Sequence, residues 1–177
     1  MNYRIETKDR NGMLMYVDIS HLFNVNMYVH YPNDFISPAQ MLCDFNDDYI
    51  VIEDITCLER FQRNGYASIL FEAFFKYIEY YYNGKKVKYI RGWLSPHDMP
   101  YWNKSIPFYS CQFDKRNNFF KGLIIYEEVA PEKIYSKEYI LNHKGDFLKG
   151  LTFKYIFPAK AIQCTVYIEQ LFLRSIR

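Results

Sequence analysis

The strongest constraint on the fold is one uninterrupted passage, residues 49 to 94. Tyr49-Ile50-Val51-Ile52-Glu53-Asp54-Ile55-Thr56-Cys57-Leu58 is rich in β-branched residues and has the length of a strand. A polar loop follows, Glu59-Arg60-Phe61-Gln62-Arg63-Asn64-Gly65, and then a helical pattern that persists to Tyr82. In that helix Ser68, Glu72, Lys76 and Glu79 recur every three or four residues as one narrow polar stripe. Ala67, Leu70, Phe71, Phe74, Tyr77, Ile78 and Tyr81 mark the opposite face. Glu72 and Lys76 form a favourably oriented i,i+4 pair, and Asn83-Gly84 supplies the stop. A second strand, Val87 to Leu94, comes next. Strand, helix and strand in this order require two parallel strands, with the helix laid across a sheet.

The flanking residues extend this α/β pattern. Residues 12–30 alternate weakly and read as one or two strands, with Tyr31-Pro32-Asn33-Asp34 as a turn. Residues 39–45 are a short strand closed by the hairpin cluster Asn46-Asp47-Asp48. Tyr101 to Cys111 reads as a short helix, with Pro107 in its first turn or at a kink, and residues 119–128 as another strand. Residues 1–128 form the core in this reading. Residues 129–177, punctuated by Pro131, Gly145, Gly150 and Pro158, form a β-rich extension with strands at Leu151 to Phe157 and Ile162 to Phe172.

Composition narrows the function classes. The 177 residues suit one domain, and 50% hydrophobic side chains exclude intrinsic disorder. No apolar stretch reaches the ~18 residues that span a bilayer, so no membrane partner is expected. Twenty-two basic against 20 acidic residues leave a charge of +2, too balanced for a chain that grips a duplex, so no nucleic-acid partner is expected either. The 18 Tyr and 15 Phe admit a stacking role, but their spread along the whole chain fits core and half-buried positions better. Cys43, Cys57, Cys111 and Cys164 lie far apart, and with the four histidines they show no metal-ligand spacing. The opening residues lack the apolar core of a signal peptide, so the expectation is a cytoplasmic chain with reduced thiols.

The loop before the helix has the chemistry of an anion site. The first N–H groups of a helix have no partner inside it, and the helix dipole adds partial positive charge. Gly65 lets backbone approach a phosphate without a Cβ in the way, Ala67 keeps the next turn thin, and Arg60 and Arg63 add full charges.

The order of motifs resembles the GNAT superfamily of acetyl-CoA-dependent N-acyltransferases, whose signature is Gln/Arg-x-x-Gly-x-Gly/Ala between the fourth strand and the third helix. Gln62, Gly65 and Ala67 fill its fixed positions, and Phe61 stands where the family has an aromatic. Gly92-Trp93-Leu94-Ser95 and Ser105-Ile106-Pro107-Phe108-Tyr109-Ser110-Cys111-Gln112-Phe113 resemble the fifth strand and the helix after it. Together the match spans residues 39–128. It implies a mixed, mostly antiparallel sheet in which the parallel fourth and fifth strands splay apart, with flanking helices. Three departures stand out: a short segment before the fourth strand, so that the family's first strand and two substrate-side helices are truncated or replaced, Gln112 in place of a glycine, and Trp102 in place of a pantetheine-contacting asparagine.

The resemblance implies acetyl transfer from acetyl-CoA, with no metal, to a primary amine of a small molecule or protein. Ile55, Cys57 and Leu58 would offer strand backbone to the pantetheine, and Asn103 stands one residue past the expected asparagine. Gln62 belongs to the motif, and the amides of Arg63, Asn64, Gly65, Tyr66 and Ala67 would hold the pyrophosphate. Tyr109 matches the tyrosine that protonates the leaving thiolate, or else is a core tyrosine. Glu53 is the candidate general base if half-burial raises its pKa, or else a solvated strand-face carboxylate. Ser95, His97 and Asp98 are too close in one loop for triad geometry. The alternative function is a non-catalytic CoA-binding or structural interaction protein on the same fold. One C-terminal strand candidate is left over after the sheet is complete. Either a second copy covers it, giving a homodimer, or it folds back over the short N-terminal region.

Overall fold

Alternation of apolar and polar residues builds the first strands of the computed structural model, which describes residues 2–129, 132–164 and 171–174. β1 (Asn2–Lys8), β2 (Leu14–His21), β3 (Val25–His30), β4 (Ala39–Phe45) and β5 (Tyr49–Cys57) follow one another with no helix between them. The expected single or double strand in residues 12–30 is thus β2 and β3, while β1 is an addition to the sequence expectation. Strands, and no helix, stand where the resemblance implies a first strand and two substrate-side helices. Contacts divide the chain into two compact units. The first comprises Met1–Phe45, Ile52–Lys86 and Ala161–Arg177; the second, Asn46–Val51 and Val87–Lys160.

In the first unit β1, β2, β3 and β4 are antiparallel neighbours in chain order. Met15, Val17, Ile19, Val25, Met27 and Val29 are buried on one face. α1 (Tyr66–Tyr81) packs on β3 and β4 and buries Leu70, Phe71, Phe74 and Ile78. Burying each such side chain contributes about 1.5–3 kcal/mol relative to leaving it exposed. The polar stripe of α1 is narrower than the sequence pattern implies, since Glu79 is buried while Glu72 is exposed and pairs with Lys76 at 3.5 Å. The opposite sheet face, with Arg4, Tyr16, Asp18, Asn26, Tyr28, His30, Gln40 and Leu42, is half-buried or exposed. β10 (Leu171–Arg174) pairs antiparallel with β1, so this strand joins its own chain on the β1 edge. Of the expected strand Ile162 to Phe172, residues 165–170 and the side chain of Phe172 lie outside the described residues.

In the second unit, β6 (Tyr89–Leu94) lies beside the first residues of β5. Lys88 N–H donates to Asp48 O at 2.7 Å, and the Tyr49 and Tyr89 rings stack at 5.4 Å. Both strands therefore start level and run parallel, which gives the mostly antiparallel sheet a parallel pair. β9 (Leu151–Ile156) inserts between β6 and β7 (Leu123–Glu128), antiparallel to both, and β8 (Ile134–Tyr135) borders β7. α2 (Trp102–Asp114) runs three residues past the expected end, with Pro107 in its second turn. Asn103 and Pro107 are both exposed, so water can meet the carbonyl that Pro107 leaves unbonded. Residues 117–120 form a short helix, α3 (Asn117–Phe120), and not the start of the strand. The Tyr155 hydroxyl ties this turn, donating to Asn117 Oδ1 at 2.7 Å and accepting from Gly122 N–H at 3.0 Å. A further helix, α4 (Lys137–Asn142), buries Ile140 and is capped by Ser136.

Candidate functional site

The end of β5 and the start of α1 are joined by a loop whose side chains hold its own backbone. Phe61 N–H donates to Leu58 O at 2.8 Å and Gln62 N–H to Glu59 O at 3.2 Å. The Gln62 amide reaches back to Cys57 O at 3.3 Å. Asn64 Nδ2 donates to the carbonyls of Phe61 and Gln62, each at 3.1 Å, and its Oδ1 accepts from Arg10 Nη2 at 2.8 Å. Gln62 and Asn64 thus brace the loop with their side chains.

The loop turns through two left-handed residues, Arg63 at φ +63° and Gly65 at φ +84°. Such a conformation costs a non-glycine residue of order 1–3 kcal/mol, so glycine at 65 follows from the backbone. A Cβ there would meet nothing within 4 Å, so crowding plays no part and the backbone is open on that side. Gly65 caps α1 without any side-chain cap. The first helical bond is Ile69 N–H to Gly65 O at 3.1 Å, which leaves the amides of Tyr66, Ala67 and Ser68 ahead of the helical ladder. Arg60 lies over the Phe61 ring at 4.8 Å, and Arg60 and Arg63 are exposed.

Two neighbouring loops buttress the helix start, and sequence reasoning misses both. The Tyr66 and Tyr31 hydroxyls are 2.9 Å apart, and Tyr31 donates to Asp9 Oδ2 at 2.6 Å. Asp9 Oδ1 in turn accepts the amides of Asn11 and Met13. Burial and these hydrogen bonds push the Tyr31 hydroxyl above the usual tyrosine range. The bond from Tyr31 holds the Asp9 carboxyl below the usual carboxylate range. The only sequence signal is the turn chemistry of Asp9-Arg10-Asn11-Gly12.

β5 carries an extra residue relative to β4. Asn46 N–H donates to Tyr49 O, and Leu58 N–H donates to Pro38 O, each at 3.0 Å. The stretch between these bonds is one residue longer on β5, the signature of a β-bulge. Glu53 and Asp54 are both exposed where simple alternation would bury one of them. Glu53 is therefore not half-buried as expected. Beyond the bulge Ile55 and Cys57 are half-buried and Leu58 is exposed. Burial pushes the Cys57 thiol up, away from thiolate chemistry.

In the second unit, Tyr109 is half-buried on α2, and its ring stacks on Phe153 at 4.5 Å. Phe153 in turn lies against Gly92, where a Cβ would fall 2.3 Å from the ring. A glycine in the middle of β6 thus makes room for the ring that seats Tyr109; it is the signal through which Phe153 could have been found. Trp102 is buried and donates to Ser95 O at 3.1 Å, so it is a core residue, whereas Asn103 is exposed in the first turn of α2. Ser95 Oγ accepts the His97 amide at 3.2 Å, which makes it a cap of the turn after β6. Among the described residues no group of three or more His, Cys, Asp or Glu side chains is placed to hold a metal.

No family model and no curated protein matches the sequence. Solved structures similar to the chain include the following two. The ribosomal-protein-S18-alanine N-acetyltransferase from Escherichia coli is 12% identical, with a TM-score of 0.48 over 84% of this chain and 77% of that one. Tetrahymena GCN5 is 12% identical, with a TM-score of 0.43 over 78% of this chain and 71% of that one. At such identities and scores they assign no residue a role.

Proposed function

We propose that the protein is an N-acyltransferase that moves an acetyl group from acetyl-CoA to a primary amine. The observation that carries the reading is the left-handed Gly65 turn. It opens α1 directly off a strand end, with Gln62, Gly65 and Ala67 at the spacing of the GNAT signature. The amides of Tyr66 and Ala67, the helix dipole, Arg60 and Arg63 suit a pyrophosphate. The strand residues Ile55 to Leu58 suit the pantetheine arm.

In the reaction the neutral amine nitrogen attacks the thioester carbonyl carbon. A C–N bond forms, the C–S bond breaks, the amine loses its proton to a base, and the leaving sulfur gains one. Tyr109 is the candidate donor of that last proton, and Glu53, solvated on β5, the candidate acceptor of the first. A panel of primary amines incubated with the protein and acetyl-CoA, followed for free thiol, tests the reading. Amine-dependent thiol release supports it, and no release above the thioester's own hydrolysis with any amine contradicts catalysis. The absence of helices from residues 2–57 favours a second reading, a CoA-binding protein without transfer activity. CoA binding without thiol release selects that one.

A further inference from the structure

On the sheet face of the first unit that α1 does not cover, a shallow depression of about 160 Å³ opens between Asn26, Tyr28, Gln40, Leu42 and Asp54, floored by Met41. It exists for a local reason. Tyr28 pairs with Gln40 and Asn26 with Leu42 across β3 and β4, which puts these four side chains in two adjacent rows. The bulge in β5 then brings Asp54 onto the same face, where regular alternation would turn it away.

The lining has two chemistries. Leu42 and the Tyr28 ring offer an apolar trough. The carboxylate of Asp54 and the side-chain oxygens of Asn26 and Gln40 are hydrogen-bond acceptors at its rim. Asp54 accepts from Thr56 Oγ1 at 2.8 Å, and no cation pairs with it among the described residues. A trough of methylene-binding surface that ends in a carboxylate and two amide oxygens is complementary to an alkylammonium group. Its volume admits on the order of five water-sized groups, enough for a four- or five-carbon stem. The Tyr28 ring adds a face for the cation.

We propose that this depression binds the ammonium end of an alkylamine. This does not rest on the acyltransferase reading. A free polyamine and a lysine side chain share this chemistry. Calorimetric titration of the intact protein with spermidine, with Nα-acetyl-lysine methylamide and with the neutral isostere 1-pentanol tests it. Saturable binding of either ammonium compound, at least tenfold tighter than the alcohol, is expected. Tighter spermidine binding identifies a free polyamine, and tighter lysine-amide binding a protein chain.

Asp54→Asn, an exposed and nearly isosteric change, should weaken ammonium binding at least tenfold without lowering Tm. Gln40→Lys, which adds a cation to the rim, should do the same. Equal affinity for amine and alcohol, no saturable amine binding, or unchanged affinity in both variants overturns the proposal. If amines bind while acetyl-CoA does not, the ammonium site stands and the transfer reaction falls. If acetyl-CoA binds and amines do not, the ammonium site alone is overturned.

Discussion

Two carboxylates share the uncovered face of the first unit's sheet, and their surroundings are opposite. Asp18 on β2 accepts from Arg4 Nε at 2.7 Å, Arg4 Nη2 at 3.0 Å and His30 Nε2 at 2.8 Å. His30 Nδ1 lies 2.9 Å from the Tyr31 carbonyl oxygen. The Arg4 guanidinium in turn lies 4.1 Å over the Tyr16 ring. Asp54 on β5 has a single hydroxyl donor and no cation among the described residues. The first carboxylate is answered within the chain and holds three strands together. The second is not, and the amides of Tyr66 and Ala67 likewise precede the helical ladder of α1. Changes to the answered kind should cost stability, and changes to the unanswered kind should cost binding or turnover with little loss of fold.

The largest effect is expected at the loop. Gly65→Glu puts a negative side chain at the turn proposed to hold the pyrophosphate and forces a non-glycine residue into a left-handed turn, costing about 1–3 kcal/mol. The variant should stay folded, because a Cβ there meets nothing, and should no longer be stabilised by CoA. Undiminished CoA affinity would remove the loop from the unanswered kind.

Tyr109→Phe comes next. It keeps the ring stacked on Phe153 and removes only the hydroxyl. As a general acid the tyrosine should account for ~10²–10⁴ in kcat, with CoA affinity nearly intact. Turnover within a factor of a few would assign the thiolate's proton to water.

Asp18→Asn tests the answered kind. Losing the charged hydrogen bonds from Arg4 and the bond from His30 should destabilise by about 1.5–3 kcal/mol while leaving CoA binding unchanged. The same cluster predicts a pH dependence. Burial pushes the Asp18 carboxyl up, but the bonds from Arg4 and His30 outweigh it and hold the group below its ordinary value of 3.8. A carboxyl lowered in the folded state adds stability above its unfolded pKa and loses it as pH falls through the folded one. Tm should therefore fall below about pH 4 in the parent more steeply than in Asp18→Asn; parallel curves would contradict the role given to the cluster. The smallest effect belongs to an exposed pair. Lys76→Ala should cost only about 0.2–0.5 kcal/mol through the Glu72 contact, and less in high salt.

Local signals make the strand–loop–helix–strand passage legible from the amino acids alone. The β-branched run of β5, the narrow stripe of α1 and the Gln62-x-x-Gly65-x-Ala67 spacing each act over a few residues. What stays hidden is set by distant partners. β1 has only Tyr3 and Ile5 on its buried side, too short an alternation to read alone, and its neighbours are β2 and β10. The brace from Asp9 and Tyr31 to Tyr66 joins three segments far apart in the chain. The bulge that exposes Asp54 leaves no trace in composition, since the mismatch lies between two strands. Phe153 under Tyr109 is legible only through Gly92, a mid-strand glycine whose meaning depends on the strand opposite.

The central claim is that the Gly65 turn and the start of α1 form an acetyl-CoA site. Thermal unfolding of the intact protein with rising acetyl-CoA measures this most directly, with 3′-phosphoadenosine as a competitor lacking the pantetheine arm. A ligand at 100 times its Kd stabilises by about 2.7 kcal/mol, so Tm should climb by several degrees and keep climbing with concentration. The gain should be absent in Gly65→Glu. An unchanged Tm up to millimolar acetyl-CoA, or an equal gain in Gly65→Glu, would contradict the account.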